Sequence, residues 1–358
     1  MRMSILMRGV LLAGLLAACA PPSAPGAAGA GGAVRLILGA YTTPREAYSQ
    51  IIPLFAEQWK SRTCQTVTFE ESYQGSGAQS RAIVEGFEAD VAALSLQADI
   101  DRIVQAGLIT HDWQAVGPSR GMVSTSVVAF AVRAGNPKNI RDWADLAQPG
   151  LEVLTPNPKT SGGAQWNILA LCGAALRGQV AGVPRDDPAA ATAFLIAVLE
   201  NVTVMDKAAR DSMVNFEKGV GDVAITYENE VRVGQQAGQT YELVIPKSTL
   251  LIENPVAVVD ASVDKHGTRA AAEAFVQFLY TPEAQMIFAQ HGLRSVDPTV
   301  AQATAAQYPP VADLFTIEFF GGWDKATPDY FGEAGVYTRA AAQAQADLSV
   351  TKTASPNP

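Results

Sequence analysis

An α/β fold with largely parallel sheets is what this 358-residue sequence predicts, on three observations. Short apolar and β-branched runs alternate with segments of helical spacing along most of the chain, the pattern of βα units. Glycine, proline and capping residues punctuate the joints between them. At 48% hydrophobic residues, over a length worth about two domains, there is ample material for real cores.

Charge bounds the function classes. Against 26 Lys or Arg stand 35 Asp or Glu, a net charge of −9, so a nucleic-acid binder working by phosphate neutralisation is excluded. Charged residues make up 17% of the chain, too few for a disordered polyelectrolyte.

Residues 1–18 read as a secretory signal. Arg2 and Arg8 supply positive charge, and Val10 to Ala18 is apolar but too short to span a bilayer. Leu16-Ala17-Ala18-Cys19 resembles the lipobox of bacterial lipoproteins, in which cleavage precedes a cysteine that is then acylated. Cys19 is therefore the candidate lipidation site, with an ordinary signal peptide and a chance cysteine as the alternative. Cleavage removes Arg2 and Arg8 and takes the balance from −9 to −11. Residues 19–33 then form the anchor and a leash of Ala, Pro, Ser and Gly, spanning about 20 Å on average.

The first strand expected is Val34–Ala40. A helix follows in which Tyr48, Ile51, Ile52, Phe55 and Trp59 share one face, with Pro53 predicted to kink or break it. Further strands are expected at Val67–Glu70, Val91–Leu94, Ser126–Arg133, Leu151–Thr155, Val223–Tyr227 and Val256–Val259. Ile83, Val84 and Phe87 mark another helix face. Near Ala261 the chain turns helical, over His266–Leu279 and Pro282–His291, with Pro282 suited to a first turn. Residues 340–358 are Ala- and Gln-rich and then polar, and are expected to be a disordered tail.

The reactive side chains are sparse. Cys64 and Cys172 are expected to be buried thiols, although a pairing between them stays open. His111, His266 and His291 are scattered, so neither a zinc site nor a Cys/His catalytic site has visible ligands. No cofactor is expected.

The informative features are helix starts. Thr43-Pro44-Arg45-Glu46 and Ser76-Gly77-Ala78-Gln79 read as capping boxes, Ser161-Gly162-Gly163 opens a third helix, and Asp206 can cap a fourth beginning at Lys207-Ala208-Ala209. In an open α/β sheet such starts lie at the carboxyl ends of strands, where ligands bind. Small residues there let a ligand approach bare N–H groups, and the helix dipole favours negative charge. With little fixed positive charge beside them, these nests suit a small, desolvated anion. None matches a phosphate-cradling G-x-x-x-x-G-K-[ST] motif. A serine hydrolase with Ser76 as nucleophile is the enzyme alternative, but Gln74 and Ala78 stand where the G-x-S-x-G elbow needs glycines.

Several runs carry a resemblance. They are Glu71-Ser72-Tyr73-Gln74-Gly75-Ser76-Gly77, Arg133-Ala134-Gly135-Asn136-Pro137-Lys138 and Leu154-Thr155-Pro156-Asn157-Pro158-Lys159-Thr160-Ser161-Gly162-Gly163-Ala164. Two more follow, Gly221-Asp222-Val223-Ala224-Ile225-Thr226-Tyr227-Glu228-Asn229-Glu230 and Phe320-Gly321-Gly322-Trp323. In order and spacing, from about Leu36 to Phe331, the chain resembles the bacterial sulfate-binding proteins, extracytoplasmic receptors of sulfate and thiosulfate ABC importers.

That resemblance implies a two-lobed periplasmic-binding-protein fold of type II, hinged around a ligand cleft. Lobe I would comprise 34–122 and 256–339, and lobe II 123–255. It implies a non-enzymatic monomer that binds sulfate and delivers it to a membrane-embedded permease. By position, Ser76 would give its N–H and hydroxyl, and Gly162, Gly163 and Ala209 their N–H groups. Thr42 stands where the family has an Asp contributing its backbone N–H, and Tyr227 where it has a Trp. Gln165 replaces an Arg, whereas Arg210 keeps one beside Ala209, in an outer role. A phenol can accept as well as donate, so thiosulfate, molybdate and phosphate stay open as ligands. Tyr227 also admits a plain packing role, Thr42 a turn role and Arg210 an ion-pair role. A ferric-ion receptor built on tyrosine finds no clustered ligands here.

Overall fold

The structure, a computed structural model, describes residues 32–354. The expected signal, Cys19 and nearly all of the leash lie outside the described residues. Ten strands are described: β1 Val34–Tyr41, β2 Val67–Gln74, β3 Val91–Ala93, β4 Met122–Val132, β5 Val153–Pro156, β6 Val202–Asp206, β7 Val223–Tyr227, β8 Glu242–Val244, β9 Ser248–Val258 and β10 Asp313–Phe315. They connect in the order β2-β1-β3-β9-β4-β7-β5-β6, with β10 on β9 and β8 on β4.

The sheet is mixed rather than largely parallel. β1 runs parallel to β2 and β3, and β5 parallel to β6 and β7, as βα units require. Every antiparallel pairing involves β4 or β9. These two strands pair with each other over Met122–Val127 and Leu251–Pro255, then part. β4 continues against β7 from Val128, and β9 continues against β3 from Val256. The chain thus passes twice between two separately cored halves.

Sequence patterning found only the apolar ends of these two strands, because their shared stretch is polar. Ser124, Ser126 and Asn254 are buried there all the same, and so is Thr249 just before it. Asn254 Nδ2 donates to Ser124 Oγ (3.1 Å), and Thr249 Oγ1 to the Val128 carbonyl (2.7 Å), whereas Ser126 Oγ finds no partner among the described residues. β6, β8 and β10 were also unpredicted; two of them are three-residue strands whose existence depends on a neighbour.

One core gathers Leu36, Leu38, Tyr48, Phe55, Phe275 and Phe288. Another gathers Phe130, Trp143, Trp166, Leu195, Tyr227 and Trp323. The helix Arg45–Thr63 buries Tyr48, Ile51 and Phe55 as its periodicity predicts, and runs unbroken through Pro53.

Three further expectations need correction. Gly267, at φ 69°, ends a helix Asp260–His266, so the next helix is Arg269–Phe278 rather than one starting at His266. Residues 340–354, expected to be disordered, continue a helix Val336–Ala354 that contacts the helix Pro188–Glu200. Ala340 and Ala344 are buried in the second core, their small side chains allowing close approach. Cys172 is a buried free thiol, its pKa pushed up to about 12 by burial, but Cys64 is exposed and not free. Among the described residues no helix is long and apolar enough to cross a membrane.

Candidate functional site

Helices begin just beyond the carboxyl ends of β2, β5 and β6, at Ser76, Gly162 and Ala209, and Thr42 directly follows β1. The first turn of any helix leaves its N–H groups without intrahelical acceptors. Some are taken up locally. Ser161 Oγ accepts from Ala164, the Ala208 carbonyl from Asp211 and Ser212, and the Gly75 carbonyl from Gln79. The N–H of Ala78 reaches across the chain to the Thr160 carbonyl (3.1 Å). Those of Ser76, Gly162, Gly163 and Ala209 have no protein acceptor among the described residues.

Glycines let these starts meet. A Cβ on Gly75 would stand 2.5 Å from the Thr160 carbonyl oxygen and 2.7 Å from that of Lys207, contacts that no real Cβ makes. On Gly162 it would lie 2.8 Å from Ser95 Oγ, and on Gly163 2.7 Å from the Tyr227 ring. Ser76, Gly162, Gly163 and Tyr227 are therefore brought to one place, around Ser95. Ala209 packs in the same core as Tyr227. Thr42 and Arg210 line an adjoining cleft of about 520 Å³ with Arg45, Glu46, Gly75 and Lys207.

Ser95 was missed by sequence reading. It follows β3 at its carboxyl end, where the other site residues also sit, but Leu94-Ser95-Leu96 has neither glycine nor capping pattern to mark it. Its backbone N–H donates to Ser76 Oγ (2.9 Å). Its carbonyl accepts from Trp166 Nε1 (3.0 Å), and its Oγ lies 2.6 Å from the Tyr227 hydroxyl. Burial pushes the Tyr227 phenol pKa well up, so it stays protonated.

The Ser76 hydroxyl is not free for a ligand. It donates to Asp99 Oδ2 at 2.6 Å, in a carboxyl group that also takes Arg102 Nη1 on Oδ1. Nor does Ser76 cap its helix: Gly75 holds the N-cap position, and the expected capping box is absent. No histidine is among the partners of Ser76, so the Ser–His pairing of a serine hydrolase is missing there among the described residues. Ser161 caps its helix as expected. Asp206 does not cap; it ends β6 and accepts from Asn215 Nδ2 (2.6 Å).

The Thr43–Glu46 box is likewise replaced, because Arg210 competes for the carboxylate. Arg210 Nη1 and Nη2 donate to Glu46 Oε1 (2.5 Å) and Oε2 (3.0 Å), while Nε donates to Glu230 Oε2 (2.6 Å). Burial works against the guanidinium charge, yet Glu230 and Glu46 outweigh it and raise its pKa. Burial also opposes ionised Glu46, and Arg210 overcomes this and holds its carboxyl below the usual range. Gln165, an uncharged side chain, donates to the Pro158 carbonyl (3.0 Å).

Residues 36–294 match the family model for bacterial extracellular solute-binding proteins. The chain is 45% identical to a sulfate-binding protein of Synechococcus elongatus over 325 residues, covering 90% of this chain and 91% of that one. It is 46% identical to the sulfate-binding protein of a Synechocystis species over 306 residues, 85% of each. The solved sulfate-binding protein SubI of Mycobacterium tuberculosis H37Rv superposes with a TM-score of 0.76 at 41% identity, covering 83% of this chain and 99% of that one.

Proposed function

The chain belongs to the bacterial extracellular solute-binding proteins, and from that premise we propose that it binds sulfate outside the cytoplasmic membrane and delivers it to an ABC importer. Its fold is that of the two-lobed periplasmic binding proteins. The lobes we assign are 34–122 with 256–312, and 123–255 with 313–339, so that β4 and β9 form the hinge; the last segment, expected with the first lobe, goes to the second because Phe315, Ile317 and Trp323 pack in the core of Phe130, Trp143 and Trp166.

The observation that carries this reading is the convergence of three helix starts whose N–H groups have no acceptor of their own. Ser76, Gly162, Gly163 and Ala209 supply backbone donors, Thr42 supplies another from the β1 end, and Tyr227 adds a hydroxyl. Sulfate is fully ionised at neutral pH and only accepts hydrogen bonds, so a neutral nest of donors suits it. Pairing a donor against a ligand proton would leave both unsatisfied, at about 1–3 kcal/mol. Arg210 acts from behind, tying the rim of one lobe to the other through Glu46. Cys19 carries the lipid that tethers the receptor, which works as a monomer against its permease.

Titration calorimetry with sulfate, thiosulfate, phosphate and molybdate tests the assignment. Sulfate should bind most tightly of the four. Tighter binding of any other anion would reassign the ligand, and binding of none would remove the receptor reading.

A further inference from the structure

Ser95 and Tyr227 are both 1% exposed, and their hydroxyl oxygens lie 2.6 Å apart. Such a pair holds two protons, and the bond between them uses one. Trp166 Nε1, a donor only, also approaches Ser95 Oγ at 3.2 Å, so it adds a proton to the pair and removes none. Among the described residues neither hydroxyl has a protein acceptor other than its partner. One O–H is left over. It lies beside the Gly162-Gly163 start, since a Cβ on Gly162 would stand 2.8 Å from Ser95 Oγ and one on Gly163 3.2 Å from the Tyr227 hydroxyl.

We propose that Ser95 is a specificity-determining residue which, with Tyr227, forms a two-hydroxyl relay able to hold a monoprotonated tetrahedral oxyanion as well as a bare one. The proposal rests on the oxyanion-receptor reading above. Toward a bare anion the relay offers its spare O–H as a donor. Toward a protonated one it turns round: the ligand O–H donates to Tyr227, Tyr227 donates to Ser95, and Ser95 donates back to another ligand oxygen. No proton changes owner. Either hydroxyl alone could accept the ligand's proton, but its own proton would then lack a protein acceptor and would need a second oxygen of the same ligand within reach of the same atom. A site built only of donors rejects such a ligand strongly, by up to about 10⁴–10⁵-fold where buried partners go unpaired. The relay removes that penalty at one corner of the ligand.

The test is calorimetric titration of the full chain with sulfate and with inorganic phosphate at pH 7, in wild type, Ser95→Ala and Tyr227→Phe, with thermal melts as folding controls. Ser95→Ala keeps the backbone bonds to Ser76 and Trp166, and Tyr227→Phe provides an independent route should either variant fold poorly. Wild type should bind phosphate within about a thousandfold of sulfate, and each substitution should lower phosphate affinity at least about tenfold more than sulfate affinity. Parallel losses for both anions, or a wild type that binds sulfate but rejects phosphate by more than that margin, would overturn the relay. A wild type that binds neither anion overturns the receptor reading itself, and the relay with it.

Discussion

An added methyl at Gly162 would stand 2.8 Å from Ser95 Oγ and 2.9 Å from Leu96 Cγ, so the glycine is required by packing as well as by any ligand. Gly162→Ala keeps the N–H but pushes the Ser95 loop away. We expect sulfate affinity to fall at least about tenfold in a protein that still folds, with Ser95→Gly in the same chain recovering part of the loss. Calorimetry on the single and double variants measures this; an unchanged single variant would show that the lobes need not meet there. Ser76→Ala separates a second pair of roles. Its hydroxyl serves Asp99 and the Ser95 N–H, whereas its own N–H is the donor assigned to the ligand. Stability should drop by about 1–3 kcal/mol, since a buried carboxylate loses a partner, while sulfate affinity changes less than about threefold. Denaturant unfolding and calorimetry read the two effects apart, and a large affinity loss without destabilisation would return the hydroxyl to the ligand.

At the level of elements, Arg210 joins the starts of three helices: its own, the one carrying Glu46 and the one carrying Glu230. The bonds to Glu46 and, more weakly, to the Thr43 carbonyl (3.4 Å) run between the assigned lobes, and only the first is an ion pair, so Glu46→Gln should quicken sulfate release by about tenfold with less effect on capture. Stopped-flow dissociation tests this, and an unchanged off-rate would reduce the bridge to a surface pair. The bridge also sets a pH dependence. The folded pKa of Glu46 lies below its ordinary value of 4.5, so its stabilisation is present above that pH and is lost as pH falls through the folded value. Melting temperature should therefore decline on acidification below about pH 4.5, and decline less steeply in Glu46→Gln. Equal slopes in both proteins would place the acid sensitivity elsewhere.

For the whole molecule, closing two lobes over an anion that the unfolded chain does not bind links affinity to stability. Sulfate at a hundred times its dissociation constant should add about 2.7 kcal/mol, seen as a higher melting temperature that chloride at equal ionic strength does not produce. Anchoring is separable from this. Because residues 20–33 hold only Ala, Pro, Ser and Gly between Cys19 and β1, Cys19→Ser should shift the protein from the membrane to the soluble fraction and leave sulfate affinity unchanged. Persistence in the membrane fraction would reject the lipoprotein assignment.

Local chemistry was enough to place β1, β7, the face of Tyr48, Ile51 and Phe55, and the Ser161 cap, because each depends on side-chain period or on hydrogen bonds within a few residues. Gly162, Gly163 and Ala209 were legible as helix starts for the same reason. What depended on distant partners was not. The polar halves of β4 and β9 became strands because each is the other's ladder partner, and Glu46 left its capping box because Arg210, 164 positions away, is a charged partner. Ser95 carries no local mark at all. Its place beside Tyr227 and Trp166 arises only when β3 and the Gly162–Leu176 helix come together, since hydroxyl groups acquire direction from neighbours that folding alone supplies.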